Sequence, residues 1–455
     1  MADEVRMEDE MGTNRRRRVG IGLIVGVLGL AGAIFAAAAD GGTFDEDQLL
    51  FAADPAADDY FGYAVATDGT TVMVGAIYDD DEGPPFQGNA GSVRVFETAG
   101  GVWTEVDRLE ASVPDNSGYF GSAIAIDGDT AVIGSYGWEG KIGAAYVFVR
   151  EMGSWVEQAK LGDLAGSSLD NFGCSVAIDG DTVAVGAYGD DNAGEDRGSV
   201  FVFTRSGTVW SEEAKLTLNV QVDDDWFGYR VAISGDTLVA SALEPIAGPP
   251  NETGSAYVFN RTGSFWSEDQ KLNGSGGVDD RNFGNSIQLE PGTLVIGSQR
   301  ADHSGLDNAG AVYVFAESGG TWTEIQKLTA SDAAVDDGFG AGVALAGDTM
   351  VVGADLASVA SVYRAGTAYV FEDVAGTWVE GFKLIASSPE SEARLGFSVA
   401  ATPEIALVGA PWTDSVVPPA AGAGAACFYD HASYIFADHL ESGTTDSWDA
   451  SVGAS

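Results

Sequence analysis

Phe172-Gly173-Cys174-Ser175-Val176-Ala177-Ile178-Asp179-Gly180-Asp181-Thr182-Val183-Ala184-Val185-Gly186-Ala187 is the stretch that decides the fold. Ser175 to Ile178 alternate as a half-buried strand does, and Asp179-Gly180-Asp181 is a tight-turn signal. Thr182 to Val185 make a second strand that closes on Gly186-Ala187. Beyond a polar loop, Ser199-Val200-Phe201-Val202-Phe203 form a third. A Gly-containing turn then leads to Trp210 and a fourth strand ending at Lys215-Leu216. The four strands, a to d, are rich in β-branched and aromatic residues.

The same unit recurs along the chain. Phe-Gly pairs stand at Phe61-Gly62, Phe120-Gly121, Phe172-Gly173, Phe227-Gly228, Phe283-Gly284 and Phe339-Gly340, and Leu395-Gly396 is a degenerate seventh. Self-similarity at a fixed period marks a repeat architecture. Four short antiparallel strands repeated seven times predict an all-β fold, a seven-bladed β-propeller spanning residues 44–430. Each blade then buries its faces against its neighbours.

Ring closure is also legible. Trp-x-Glu-x-x-Lys-Leu marks strand d, beginning at Trp155, Trp210, Trp266, Trp322 and Trp378, with Trp103 leading to Arg108-Leu109. After unit seven, past Cys427-Phe428-Tyr429, no such strand follows. Its equivalent is Phe44-Asp45-Glu46-Asp47-Gln48-Leu49-Leu50. Phe44 takes the Trp place, Glu46 the Glu place and Leu50 the Leu place, so the N-terminal strand is predicted to complete the last blade and remove an exposed sheet edge.

The chain has 455 residues, with 69 Asp plus Glu against 22 Lys plus Arg and a formal charge of −47. Phosphate recognition needs a basic face, so nucleic acid is excluded as a partner. Such acidity favours a soluble monomer, and high Asp with scarce Lys fits either a halophile or simply an acidic secreted protein. Residues 1–39 read as an export signal or an N-terminal membrane anchor. Arg15 to Arg18 precede an uncharged run, Val19 to Ala39, that ends in small residues suited to cleavage and is long enough to span a bilayer. The propeller is therefore expected outside the cell or on its surface, touching membrane only through residues 19–39 if they stay uncleaved. Residues 431–455 are a C-terminal tail.

Phe-Gly at the start of each unit, with Val74-Gly75-Ala76, Val185-Gly186-Ala187, Val352-Gly353-Ala354 and Val408-Gly409-Ala410 after the second strand, resembles the FG-GAP repeat. The resemblance covers all seven units. It implies the seven-bladed propeller seen in integrin alpha chains and in many exported bacterial proteins, and binding or adhesion more often than catalysis. In integrin-like copies the hairpin between strands a and b is a longer Asp-rich loop that binds calcium. Here it is only Asp127-Gly128-Asp129, Asp179-Gly180-Asp181 or Ser234-Gly235-Asp236. Calcium takes six to eight oxygens, which a tight turn cannot supply. The short-hairpin bacterial variety is the nearer resemblance, and no calcium site or other cofactor is carried over.

Strands a and c run opposite to b and d, so the tight a–b and c–d turns share one face and the longer b–c and d–a loops the other. Long loops are where function concentrates, and these are acidic. The d–a loops hold Asp58-Asp59, Asp223-Asp224-Asp225, Asp279-Asp280 and Asp336-Asp337. The b–c loops hold Asp79-Asp80-Asp81 and Asp190-Asp191. These residues form a candidate binding face for a basic partner or cations, set against the alternative that Asp simply serves turns.

The tryptophans read as packing residues. The recurring Lys160, Lys215, Lys271, Lys327 and Lys383 are expected to pair with nearby acids. His303, His431 and His439 read as isolated and exposed, and Cys174 and Cys427 as separate buried positions. No G-x-S-x-G, H-E-x-x-H or phosphate-cradling loop occurs. The expectation is a non-catalytic propeller recognising an extracellular protein, glycan or surface through the acidic face. The alternatives are a polysaccharide-acting enzyme using that face, or a structural surface component.

Overall fold

The computed structural model describes residues 42–80, 88–162, 166–191, 195–220, 223–243, 253–416 and 419–430. The segment 1–39, Asp81, His431, His439 and the tail lie outside the described residues. Seven four-stranded antiparallel sheets follow one another along the chain. Blades one to six span Phe61–Leu109, Ala123–Leu161, Ser175–Leu216, Phe227–Leu272, Asp280–Leu328 and Phe339–Ile385. Blade seven takes Ser398–Ala401, Ile405–Ala410 and Ala425–Asp430 from the chain's end.

Burial explains the hydrophobic pattern of each unit. Strand b of blade three, Thr182–Ala187, is buried at every position. It is covered on both faces by neighbouring blades, so it reads as a continuous apolar run. The outer strand Phe265–Leu272 alternates exposed and covered side chains, because only one of its faces meets a neighbour. The core is accordingly split into seven clusters, each drawn from two adjacent blades. Leu216, Val200 and Phe227, for example, join blades three and four.

The recurring glycines sit where blades touch. A Cβ on Gly186 would lie 2.0 Å from the carbonyl oxygen of Gly228 in the next blade, and Gly228 itself has φ +90°. The same contact joins Gly75 to Gly121, Gly134 to Gly173 and Gly353 to Gly396. The intervening phenylalanines fill the interface, with Phe120, Phe172, Phe227, Phe283 and Phe339 fully buried. Close backbone approach and a large buried ring are thus two halves of one joint.

The motif of strand d makes a second joint. The Glu two residues after Trp155, Trp266, Trp322 and Trp378 accepts a backbone N–H from the loop leaving the preceding blade: Ser112 to Glu157, Asn219 to Glu268, Ser275 to Glu324 and Ser331 to Glu380, at 2.7–2.9 Å. Gln270 and Gln326 hold the backbone N–H and C=O of Trp322 and Trp378 in the following blade.

Closure follows the predicted register and adds a detail. Strand β2 (Gln48–Leu50) pairs antiparallel with Ala425–Asp430, placing Leu50 opposite Ala426. This matches Leu216 opposite Val200 in blade three. Glu46 takes Ser387, and Gln48 brackets Trp103, as their counterparts do elsewhere. The predicted single strand is in fact two. Strand β1 (Gly42–Asp45) pairs in parallel with Trp378–Ile385 as a fifth strand of blade six, and there Phe44 meets Phe382 edge-on at 4.9 Å. The N-terminal segment therefore ties blade six to blade seven as well as blade seven to blade one.

Candidate functional site: the loop-bearing face and channel mouth

Every acidic run predicted on the loop face is divided by the fold. Asp59, Asp79, Asp190, Asp225, Asp280 and Asp337 are buried, whereas Asp58, Asp80, Asp191, Asp223, Asp224, Asp279 and Asp336 are exposed. The buried members do structural work. Asp59 and Asp337 accept the backbone N–H groups of Ala56 and Ala334 at 2.6 and 2.7 Å, each closing its own loop. Burial raises the Asp59 carboxyl to about 6, with Ala56 opposing and Asp79 reinforcing the shift. Asp79 accepts from Arg94 at 2.8 Å and Arg108 at 3.1 Å. Asp190 pairs with Lys215, and Asp280 with Lys327 and the Tyr313 hydroxyl.

The exposed members form a rim. Some are engaged locally: Asp223 pairs with Arg197 at 2.8 Å and Asp336 accepts from Asn308 at 2.8 Å. Asp58, Asp224 and Asp336 adopt positive φ, a turn role suited to Asp. Among the described residues, no group of three or more His, Cys, Asp or Glu side chains could hold a metal ion.

Inside the rim lies a feature that sequence reasoning missed. The residue before several Phe-Gly pairs and those just after strand b are aromatic. Together they form two arcs of a broken collar, of which Tyr136, Tyr188 and Tyr229 line the central channel. Trp412 meets Tyr60 at 5.4 Å, Tyr60 meets Tyr78 at 4.8 Å, Tyr78 meets Tyr119 at 5.4 Å and Tyr119 meets Tyr136 at 5.2 Å. Tyr188 meets Trp226 and Tyr229. All are half-buried. Blades five and six break the collar with Asn285, Gln299 and Asp355; Gln299 donates to Asp355 at 2.7 Å. Burial raises Asp355 to about 6. The signal was present at matching places of several units, but only the ring brings those places together.

Behind the collar, the strands a of all seven blades line a channel cavity of about 660 Å³. Burial pushes the hydroxyls of Tyr63, Tyr136 and Tyr188 above their ordinary range, so they stay neutral donors.

Two expectations about single residues change. His303 is half-buried rather than exposed, and burial lowers its imidazole. Cys174 lies just before strand a and is half-buried on the channel wall, while Cys427 is buried. Several recurring lysines do pair with acids, as in Lys383 with Asp332. They also lie over the ring directly across the strand pair: Lys215 on Phe201 at 4.8 Å, Lys327 on Tyr313 and Lys383 on Tyr369 at 5.0 Å.

A family model for the FG-GAP repeat matches residues 44–96, 103–148, 155–203, 210–259, 266–315 and 322–371, together more than half of the chain. The chain belongs to the FG-GAP repeat family. Each matched FG-GAP unit starts at a strand d and ends on the strand c of the next blade, so the first begins at Phe44 in the closing segment. The three strands of the seventh blade from the chain's end, with Leu395 in the Phe place, fall outside the matched units yet fold like the rest. FG-GAP propellers are generally non-catalytic and often extracellular or on cell surfaces. Among the described residues no helix is long and apolar enough to cross a membrane. A search of the curated proteins found no match. Among solved structures, a putative 6-phosphogluconolactonase from Bacteroides fragilis NCTC 9343 is similar, at 14% identity over 70% of this chain and 82% of that one, with a TM-score of 0.46. That likeness is too distant to bear on activity.

Proposed function

We propose that this is an exported, non-catalytic binding and adhesion propeller, acting as a monomer, that recognises a protein, glycan or surface outside the cell through its loop-bearing face. The observation that carries the reading is the division of the acidic runs. In each run described, one carboxylate is buried while its neighbour stays exposed, and Asp59, Asp79, Asp190, Asp280 and Asp337 are bonded within the fold. The exposed ones encircle a half-buried aromatic collar, and aromatic rings with adaptable polar groups are what binding surfaces are made of. The uncharged run 19–39 supplies export or anchoring.

A glycan and protein array probed with the purified protein, with and without calcium, tests the reading. Saturable capture of a defined ligand class supports it. Turnover of a polysaccharide that one carboxylate substitution abolishes overturns it in favour of an enzyme.

A further inference from the structure

The channel carries the opposite charge sign from the rest of the molecule. The chain bears 69 acids, yet no Asp or Glu lines the channel cavity, whose charged side chains are Lys141 and Arg230; the carboxylate at its mouth, Asp355, is buried and bonded to Gln299. The third residue after each Phe-Gly phenylalanine, or after Leu395, is small in six units: Ala64, Ala123, Ser175, Ser286, Gly342 and Ser398. In blade four alone it is Arg230.

Two departures meet there. Where other blades carry the glycine that ends strand b, blade four has Ser241, and its hydroxyl accepts the Arg230 backbone N–H at 3.0 Å. The serines at the equivalent place reach across to the next blade, as Ser398 does to the Gly62 carbonyl. The Arg230 guanidinium instead lies over the ring of Tyr229, 4.4 Å from its centroid, and donates to the Tyr229 carbonyl at 3.0 Å. Its charge acts on the Tyr63 hydroxyl of blade one and the Cys174 thiol of blade three. Among the described residues it has no carboxylate within ion-pair distance, although most arginines of this chain are so paired.

We propose that the channel mouth is a binding site for a small organic anion, a carboxylate carried on a ring. Arg230 supplies the counter-charge, and Tyr63, Tyr136, Tyr188 and Tyr229 supply ring faces and hydroxyl groups. A guanidinium held in place on an aromatic ring presents a fork suited to a carboxylate. A cavity of about 660 Å³ is large enough for a small organic molecule. The site shares collar rings with the loop face but not its acidic rim, and small-ligand titration of Arg230 variants separates its failure from failure of macromolecular recognition at the rim.

Calorimetric titration of the full chain tests the site, with glucuronate and benzoate as anions and glucose and benzyl alcohol as their neutral counterparts. The comparison of the two anions tells an acidic sugar from an aromatic acid. We expect saturable binding of at least one anion, at least about tenfold tighter than its neutral counterpart. Arg230→Gln should remove that preference and Arg230→Lys should retain part of it. Arg230→Gln keeps an N–H donor for the Tyr229 carbonyl, and a melting curve matching the wild type shows that lost binding reports lost charge. The proposal is overturned if neither anion binds saturably, if the neutral counterpart binds as well, or if Arg230→Gln binds the anion unchanged.

Discussion

The Glu46 carboxylate accepts both the backbone N–H and the hydroxyl of Ser387, each at 2.6 Å. These residues stand 341 positions apart in the chain and adjacent in the ring. The same two-point contact joins Glu157 to Ser112 and Glu380 to Ser331 inside it. Ring closure thus reuses the joint that links consecutive blades. Glu46→Ala is expected to cost about 1 kcal/mol, because the contact is exposed and water takes up the freed donors. Deleting residues 42–50 should cost far more, because Leu50 leaves the interface between blades seven and one and a sheet edge is exposed. Thermal melts of the two variants check this.

Gly186→Ala and Gly180→Ala separate contact from conformation. A methyl at 186 would meet the Gly228 carbonyl at 2.0 Å, so neighbouring backbone has to move. Overpacking of this kind costs about 1–3 kcal/mol or more. At Gly180 nothing lies within 4 Å and only the positive φ of +56° is unfavourable, worth about 1–2 kcal/mol. Denaturant melts should place Gly186→Ala clearly below Gly180→Ala.

Asp355 is buried and its carboxyl is raised to about 6 from an ordinary value of 3.8. Burial is the main cause, partly offset by the bond from Gln299. The folded protein therefore holds the proton more tightly than the unfolded chain. The stability this group contributes is present below pH 4 and is lost as pH rises through about 6. Asp355→Asn keeps an acceptor for Gln299. It should be more stable than the wild type at pH 7.5 by about 2–3 kcal/mol, converting the shift at 1.36 kcal/mol per pH unit, with the difference vanishing towards pH 4. Paired melts across that window check the sign.

Within one acidic run, two substitutions should behave oppositely. Asp279→Asn alters an exposed rim residue and should leave the melt within about 0.5 kcal/mol. Asp280→Asn removes the charge that Lys327 and Tyr313 share in the interior, and should cost about 3 kcal/mol or more. Melting curves of the pair check it.

The fold was legible because its determinants repeat. Phe172, Gly173, Gly186, Trp210 and Lys215 each recur in register, and most joints reuse the contacts they make. The closing strand was legible for the same reason, through Phe44, Glu46 and Leu50. The parallel pairing of Gly42–Asp45 on blade six was not, since edge addition depends on where the chain passes and leaves no residue pattern. The acidic runs were visible, but which member is buried depends on a lysine, arginine or loop N–H supplied by the fold, as Lys327 is to Asp280. The aromatic collar is written in the sequence as aromatics at matching places of several units, and Arg230 as a departure from the repeat. They acquire meaning only when the ring turns one position in each unit into neighbours around one opening.

The most direct test of recognition through the loop face compares three proteins on one array. They are the wild type, a variant with Asp58, Asp80, Asp191, Asp224 and Asp279 changed to Asn, and a variant with the exposed Met152, Val209 and Phe265 of the opposite face changed to Ser. The account predicts that the wild-type hits disappear in the first variant and persist in the second, with both melting near the wild type. Hits that survive neutralisation of the rim, or disappear only with the opposite face, would contradict it.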